Sequence, residues 1–226
     1  REKGRWNNFN VSVDVSDEFM EAVESDSDWE LVHEKEPHLD YKKENTSYYR
    51  KDIQKWVYKK VKARELWNTI MKSTYDFAEP GILFLDRANK VNNLRYCEKF
   101  EATNPCAEQP LPSYGCCDLG SINLTAFISK PFTNDAFFDD VKFKIVVGYM
   151  VRFLDSVLDL TFWPLDKQSD ESASKRRIGV GFSGLGDALI MLGLKYGSDD
   201  SLSISEFISN VMRNEAYRVS SKLATE

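Results

Sequence analysis

The densest group of chemically reactive side chains lies at residues 104–108, which read NPCAE. An amide (Asn104), a thiol (Cys106) and a carboxylate (Glu108) stand there on alternate positions. Such a cysteine can act as a nucleophile, a metal ligand, a redox partner or a radical carrier, and a nearby glutamate can act as a general base. The spacing does not choose among these roles. Prolines at positions 105, 110 and 112 predict that residues 104–115 form a stiff loop. For an arbitrary cysteine, a small buried thiol beside a solvated carboxylate is the more common outcome.

A zinc site is another candidate, and its possible ligands are the four cysteines and the two histidines: Cys97, Cys106, Cys116, Cys117, His33 and His38. Structural zinc sites usually pair their ligands through short C-x₂-C knuckles, whereas here the cysteines are widely spaced apart from one adjacent pair. We therefore assign no metal ligands. On an extended segment neighbouring side chains point to opposite faces, so only one of Cys116 and Cys117 can face a given site.

A second motif, at residues 179–184 (GVGFSG), matches G-x-G-x-x-G, and Asp200 follows downstream. The dinucleotide-binding fingerprint needs a strand before its first glycine, but the cationic residues 175–177 stand there. We favour the interpretation that these glycines allow close packing of a strand and a turn into the next helix. The cationic run is more typical of a solvated face than of a phosphate site.

Apolar periodicity predicts the elements that would hold these residues. Residues 10–15 alternate as a strand, and a helix follows from Ser16. Residues 24–49 are rich in charged side chains, and we expect a polar surface excursion with little chemistry there. Further helices are predicted at residues 58–77, 138–162, 187–192 and 204–223, and apolar runs or strands at residues 82–85, 121–127 and 178–182. Strands that alternate with helices indicate an α/β architecture with a largely parallel sheet or barrel.

Length and composition exclude several classes of protein. The chain has 226 residues, with 42% hydrophobic and 29% charged side chains and a net charge of −6, so it is long and apolar enough to form a core. The acidic balance argues against a nucleic-acid partner, and the longest apolar stretch is broken by charges that a membrane would not tolerate. Four cysteines without a regular spacing favour a cytoplasmic protein over a secreted, disulfide-rich one. Because residue 1 is Arg rather than Met, we expect a piece of a longer protein.

Taken together, two segments resemble the catalytic region of ribonucleotide reductases, most closely the adenosylcobalamin-dependent (class II) form. They are residues 104–112 (NPCAEQPLP) and 117–124 (CDLGSINL). Three supporting segments resemble the same family in the same order: residues 6–13 (WNNFNVSV), 79–86 (EPGILFLD) and 176–187 (RRIGVGFSGLGD). The resemblance therefore covers nearly the whole chain.

The resemblance implies a ten-stranded α/β barrel of the ribonucleotide reductase type, with a reactive cysteine at the tip of a loop in the barrel centre. Cys106 would carry the thiyl radical that removes the 3′ hydrogen of the ribonucleotide. Glu108 would take the proton of the 3′ hydroxyl, and Asn104 would hydrogen-bond the ribose hydroxyls. Cys117 would be one half of the dithiol that supplies two electrons, and Cys116 would face away.

The resemblance also implies adenosylcobalamin as the source of the initiating radical, a ribonucleotide substrate and a thioredoxin-like or other dithiol reductant. In the family, the partner of Cys117 and the region that binds the allosteric nucleotide lie upstream of this sequence, and closing barrel strands lie downstream. We therefore expect residues 1–226 to be a single partial domain from the interior of the barrel. A homodimer of the full-length protein is left open, and no residues are assigned to cofactor binding.

Three other interpretations remain at this point. The first is a class I large subunit, activated by a di-metal partner protein, although the segment before the cysteine differs in that class. The second is a nucleotide-binding module that kept the fold and lost the reaction, against which the intact Asn104, Cys106, Glu108 and Cys117 argue. The third is a dinucleotide-dependent oxidoreductase built on the glycine motif.

Overall fold

The computed structural model describes residues 8–44 and 47–226 as a mixture of helices and short strands, which confirms the predicted α/β content. By contacts the chain divides into two compact units, of which the first ends at Ser113 and the second begins at Tyr114. The strands of the described residues form sheets of two or three strands each. The assignment of one partial domain stays a prediction. No helix in the described ranges is long and apolar enough to cross a membrane.

The first unit opens with β1 (Ser12–Asp14) and α1 (Asp17–Glu24), as the alternating pattern predicts. The hydroxyl oxygen of Ser16 accepts a hydrogen bond from the backbone N–H of Phe19, which caps the helix. Phe19 and Val23 are buried and pack with Val15 in a small core. The capped helix thereby covers one side of the strand that leads into it.

The segment predicted as a polar excursion is exposed over most of its described length but contains regular structure. It forms β2 (Asp28–His33), α2 (Leu39–Glu44) and β3 (Tyr48–Arg50), and the sheet is completed by β4 (Lys55–Lys62) in the order β2-β4-β3. The strands are antiparallel. The sequence prediction missed them because lysines and glutamates on the exposed positions hide the alternation.

The predicted start of the next helix, at residue 58, is wrong. Residues 58–62 belong to β4, and α3 (Ala63–Phe77) begins after them. Val57 and Val61 have the spacing of a helix face, yet Val57 is fully buried between its neighbours Val32 and Tyr48 in the sheet. Pairing with two strands therefore overrides a helical spacing that only a few apolar residues carried.

The rest of the first unit contains the partner strand of β1 and the two short strands that flank residues 104–109. It comprises β5 (Gly81–Leu83), α4 (Leu85–Lys90), β6 (Ala102–Thr103) and β7 (Pro110–Leu111). β1 and β5 run parallel and pair Val13 with Ile82, whereas β6 and β7 form an antiparallel pair. The apolar run predicted from residue 82 is thus a strand that continues into α4.

The second unit is built on a parallel pair of strands and two long helices. Its elements are β8 (Asp118–Asn123), a 3-10 helix (Leu124–Phe127), β9 (Ile128–Ser129), β10 (Phe137–Phe138), α5 (Asp140–Leu160), α6 (Asp166–Lys175), β11 (Ile178–Ser183), α7 (Leu185–Met191) and α8 (Asp199–Leu223). β8 pairs in parallel with β11, in a register that places Asp118 opposite Ile178. The predicted strand at residues 178–182 is confirmed. α8 begins five residues before its predicted start, because Ser198 caps it.

The core of the second unit lies between α5 and the β8–β11 pair. Phe143 and Val147 are fully buried on one side of α5, and the ring of Phe143 lies 5.2 Å from the rings of Phe127 and Phe138. These edge-to-face contacts fix the 3-10 helix and β10 against α5. The face of β8 that carries Gly120 and Ile122 points into this core.

Replacing Gly120 by alanine is expected to destabilise the protein by about 1–3 kcal/mol, the usual effect of overpacking a core. A Cβ there would lie 2.5 Å from the sulfur of Met150 and 3.2 Å from both terminal carbons of Leu154, which is buried. The measurement is the midpoint of unfolding by denaturant. Gly186→Ala is the matched control, because nothing lies within 4 Å of a Cβ at that helical position. Equal midpoints for the two variants would contradict the prediction.

Candidate functional site

Cys106 lies at the tip of the hairpin formed by β6 and β7. The loop is closed by hydrogen bonds between its two ends: the N–H of Asn104 donates to the carbonyl of Gln109 (3.2 Å), and the N–H of Gln109 donates to the Asn104 side-chain oxygen (3.1 Å). Pro105 and Pro110 fix φ at two positions of this turn. The proline-rich segment that the sequence marks as stiff is thus a closed hairpin loop.

The backbone at the tip adopts an unusual conformation beside the thiol. Ala107 has a φ of 66°, in the left-handed region that a residue with a Cβ rarely occupies. Its N–H donates to the carbonyl of Asn104 (3.0 Å), which holds the turn closed. Residues held in this way occur preferentially at functional sites, where the surrounding structure determines their conformation.

The three side chains singled out at residues 104–108 lie on this one loop. Cys106 and Glu108 are exposed, and Asn104 is half-buried. The structure thus keeps the thiol accessible, contrary to the interpretation of Cys106 as a small buried side chain. The thiol of Cys106 and the carboxylate of Glu108 are therefore both accessible on the same loop.

A cavity of about 630 Å³ lies beside the hairpin within the first unit. Asn104 and Pro105 contribute to its wall, and the polar side chains around it are amides, hydroxyls and carboxylates: Asn8, Asn10, Ser12, Asp14, Glu101 and Thr103. No lysine or arginine is among the described residues that line it. Its lining therefore suits an uncharged polar group, such as a sugar, better than a phosphate.

Cys117 lies in the second unit, immediately before β8, and is half-buried. The next residue, Asp118, donates its N–H to the carbonyl of Arg177 (3.3 Å), so the strand pairing begins directly after the thiol. A Cβ on Gly179 would lie 3.7 Å from the Cys117 sulfur and 2.3 Å from a terminal carbon of Leu119. Cys117 and Leu119 therefore share the face of β8 that covers Gly179, opposite the face packed on α5.

Around Cys117, the surface of β8 and β11 combines glycines on β11 with the exposed Leu119 on β8. Gly179 and Gly181 leave it without side chains on β11, and Leu119 is 55% exposed on β8. Gly184 turns the chain into α7 with a φ of 75°. The interpretation of the G-x-G-x-x-G motif as packing and turn glycines is confirmed, because the first two glycines lie inside the strand rather than after it.

An arginine clamp fixes the start of β11. The guanidinium of Arg176 donates to the carboxylates of Asp155 (2.7 Å) and Asp159 (2.8 Å) on α5. The hydrogen bond from Arg176 to Asp159 holds the pKa of Asp159 below its usual value. The ion pair between Arg176 and Asp159 is therefore present above the ordinary pKa of an aspartate and is lost as the pH falls through the lowered pKa of Asp159. The cationic residues 175–177, which were predicted to form a solvated face, thus include one residue, Arg176, that is held in ion pairs.

The other metal-ligand candidates lie elsewhere and are engaged locally. The Nδ1 atoms of His33 and His38 accept hydrogen bonds from backbone N–H groups two residues on, at Lys35 and Asp40. Cys97 is exposed and contacts the carbonyl of Leu94. Within the described ranges, no group of three or more His, Cys, Asp or Glu side chains is arranged to hold a metal ion.

One residue beside Cys106 was not identified from the sequence. Asn10 donates from its side chain to the carbonyl of Pro105 (2.9 Å), next to Cys106. Asn10 lies in a segment that resembles the reductase family, so the resemblance marks the segment but not the contact.

Comparison with known proteins identifies the family. The family model described as "Ribonucleotide reductase, barrel domain" matches residues 1–226. The chain belongs to the ribonucleotide reductase family.

Similar curated proteins are also ribonucleotide reductases by name. The chain is 34% identical to a vitamin B12-dependent ribonucleoside-diphosphate reductase of Thermoplasma acidophilum, over 97% of this chain and 26% of that protein. It is 32% identical to a protein of the same name from Mycobacterium tuberculosis, over 96% and 28%. It is 30% identical to a ribonucleoside-diphosphate reductase subunit alpha of Chlamydia pneumoniae, over 100% and 22%. The chain spans about a quarter of the length of these relatives.

Proposed function

We propose that this chain is part of the catalytic barrel of a longer, adenosylcobalamin-dependent reductase that converts ribonucleotides to 2′-deoxyribonucleotides. The observation that carries the proposal is the hairpin tip, where Cys106 is exposed between Asn104 and Glu108 in a chain of the ribonucleotide reductase family. The names of the B12-dependent relatives support the choice of cofactor. A dinucleotide-dependent oxidoreductase is disfavoured by the glycines inside β11.

In the proposed reaction, the sulfur radical of Cys106 removes the 3′ hydrogen of the ribose. Glu108 accepts the 3′ hydroxyl proton, which helps the 2′ hydroxyl leave as water once it has received a proton. The side-chain amide of Asn104 offers N–H donors to the ribose hydroxyls, since its oxygen is engaged with Gln109. Cys117 and a partner thiol supply two electrons and two protons and form a disulfide. Cys106 then returns the 3′ hydrogen atom to the sugar, and its sulfur radical is formed again.

The chain's residues fit a cofactor that delivers a radical from outside the hairpin. Adenosylcobalamin supplies the initiating radical through cleavage of its cobalt–carbon bond. The thiol of Cys106 is exposed at the tip, and the polar lining of the neighbouring cavity of about 630 Å³ consists of amides, hydroxyls and two carboxylates, which suits an uncharged nucleoside group that donates hydrogen bonds. The cofactor carries its own metal, so the proposal requires no protein metal site beside Cys106.

The proposal extends to the rest of the protein. The full barrel would have ten strands, of which this chain supplies the parallel pairs β1–β5 and β8–β11 and the central hairpin. The longer protein would take a ribonucleotide substrate, an allosteric nucleotide and a thioredoxin-like or other dithiol reductant in the cytoplasm, with a homodimer as one assembly to test. Nucleic acid and membranes are not proposed as partners.

The decisive experiment measures ribonucleotide reduction by the full-length parent protein with a dithiol, with and without adenosylcobalamin. Product that forms only with the cofactor supports the proposal. Product that requires a second, metal-containing protein would support the class I alternative instead. Nucleotide binding without product under either condition would support a module that has lost the reaction.

The 226-residue chain alone is expected to show no turnover. In the proposed scheme, the partner thiol of Cys117 and part of the substrate site belong to other regions of the longer protein. The measurement is deoxynucleotide formation by the isolated chain with adenosylcobalamin and dithiol, beside the full-length protein as the positive control. Measurable product from the isolated chain would refute the proposal that turnover requires these other regions of the longer protein.

A further inference from the structure

A side chain near the start of the first unit, that of Asn10, contacts the hairpin tip. The side-chain nitrogen of Asn10 donates a hydrogen bond to the carbonyl oxygen of Pro105 at 2.9 Å, across a sequence separation of 95 residues. The carbonyl of Pro105 belongs to the peptide group that carries the backbone nitrogen of Cys106. Because a peptide group is planar, a fixed carbonyl oxygen also orients the bond that leads into Cys106.

Asn10 is itself well anchored. The next residue, Val11, accepts a hydrogen bond at its carbonyl from the N–H of Gly81 (2.9 Å), and the β1–β5 pairing follows directly. At the far end of β1, the N–H of Val15 donates to the carbonyl of Leu83 (3.0 Å). The position of Asn10 is therefore set by a parallel strand pair rather than by a mobile end of the chain.

The hairpin's other bonds act within the loop. The bonds of Asn104 with Gln109 and Ala107 fix the internal shape of the turn. These bonds do not fix the orientation of the tip as a whole, which depends on contacts with neighbouring elements. The bond from Asn10 supplies such a contact at the peptide group next to the thiol.

We propose that Asn10 is a positioning residue for Cys106, which fixes the direction of the thiol by holding the Pro105–Cys106 peptide group against β1. This inference rests on the proposed function, since it assigns Asn10 a part in the reaction of Cys106. Hydrogen-atom transfer requires the reacting atoms to be in near contact, and a displacement of about 1 Å can slow a positioned reaction by about 100-fold. The bond is exposed, so its loss affects the geometry of the tip more than folding.

The test uses Asn10→Asp and Asn10→Ala in the full-length parent protein. Aspartate keeps the size of the side chain but replaces the N–H donor by an oxygen that repels the Pro105 carbonyl. With a ribonucleoside diphosphate, adenosylcobalamin and dithiothreitol, we expect kcat to fall by about 10- to 100-fold while KM changes by less than about 3-fold. Asn68→Ala is the control, since it removes an exposed amide from α3.

A second readout reports on the hairpin without turnover. Hydrogen–deuterium exchange at the amides of Ala107 and Gln109 is expected to accelerate in both Asn10 variants and to stay unchanged in Asn68→Ala. Wild-type kcat in Asn10→Asp, or a fall in kcat without faster exchange at the tip, would overturn the positioning role. If the wild-type protein itself makes no deoxynucleotide, the proposed function fails. The exchange comparison then still decides whether Asn10 holds the hairpin.

Discussion

Replacement of Cys106 by serine is expected to abolish deoxynucleotide formation by the full-length protein and to leave nucleotide binding intact. The loss is expected to be at least about 10⁴-fold, the order seen when a group essential to the chemistry is removed. Sulfur is soft and its S–H bond is weak, so a thiol gives up a hydrogen atom readily, whereas a serine hydroxyl does not. The side chains are close in size and Cys106 is exposed, so the substitution does not disturb packing. The measurement pairs product formation with equilibrium binding of the ribonucleotide.

Cys97→Ser is the matched control for this prediction. Cys97 is also an exposed thiol of the first unit, but it lies outside the hairpin. Its thiol contacts the carbonyl of Leu94, and a serine hydroxyl can make the same contact. It should keep wild-type activity. Product from Cys106→Ser at more than a trace, or equal losses in the two variants, would remove Cys106 from the radical role.

Replacement of Cys117 by serine is expected to stop turnover by removing the electrons rather than the radical. In the proposed scheme, no disulfide can form with a partner cysteine without the Cys117 thiol, so the substrate would receive no reducing equivalents. We expect at least about a 10⁴-fold loss of reduction. The most direct measurement is a single turnover without external dithiol. Pre-reduced wild-type protein should form product and a disulfide together, and the variant should form neither.

Cys116→Ser separates this role from a general effect of the adjacent thiols. Both cysteines are half-buried, but the contact with Gly179 places the sulfur of Cys117 on the open face of β8. The Cys116 variant is therefore expected to retain the single turnover and its disulfide. Loss of the disulfide in Cys116→Ser and its survival in Cys117→Ser would reverse the assignment.

Local chemistry predicted the parts of this structure that depend on a few neighbouring residues. The prolines at residues 105 and 110 indicated a stiff loop around Cys106, and the structure shows a closed hairpin. The glycines at residues 179 and 181 indicated close packing, and they lie in β11 opposite β8. In both cases the residue type itself restricts or frees the backbone, so the information is contained in the sequence.

Features that depend on distant partners were not predicted. The lysine-rich strand β4 forms because β2 and β3 pair with it on both sides, and no single segment contains that information. The bond between Asn10 and Pro105 joins residues 95 positions apart, and an asparagine before a strand has many alternative partners. Spacing rules describe one element at a time, whereas these contacts are set by the way several elements come together.

The left-handed backbone conformation of Ala107 also affects the conformational freedom of the loop that carries the Cys106 thiol. A glycine at this position would adopt the same φ without strain, but it would also open many other conformations to the tip. Alanine has fewer allowed backbone conformations than glycine. The prolines at residues 105 and 110 restrict the backbone of the tip further. Much of the conformational entropy that a surface loop normally retains is thus already absent before any reactant arrives. The backbone that carries Cys106 is therefore restricted, and binding a reactant at the tip has correspondingly little backbone disorder left to remove.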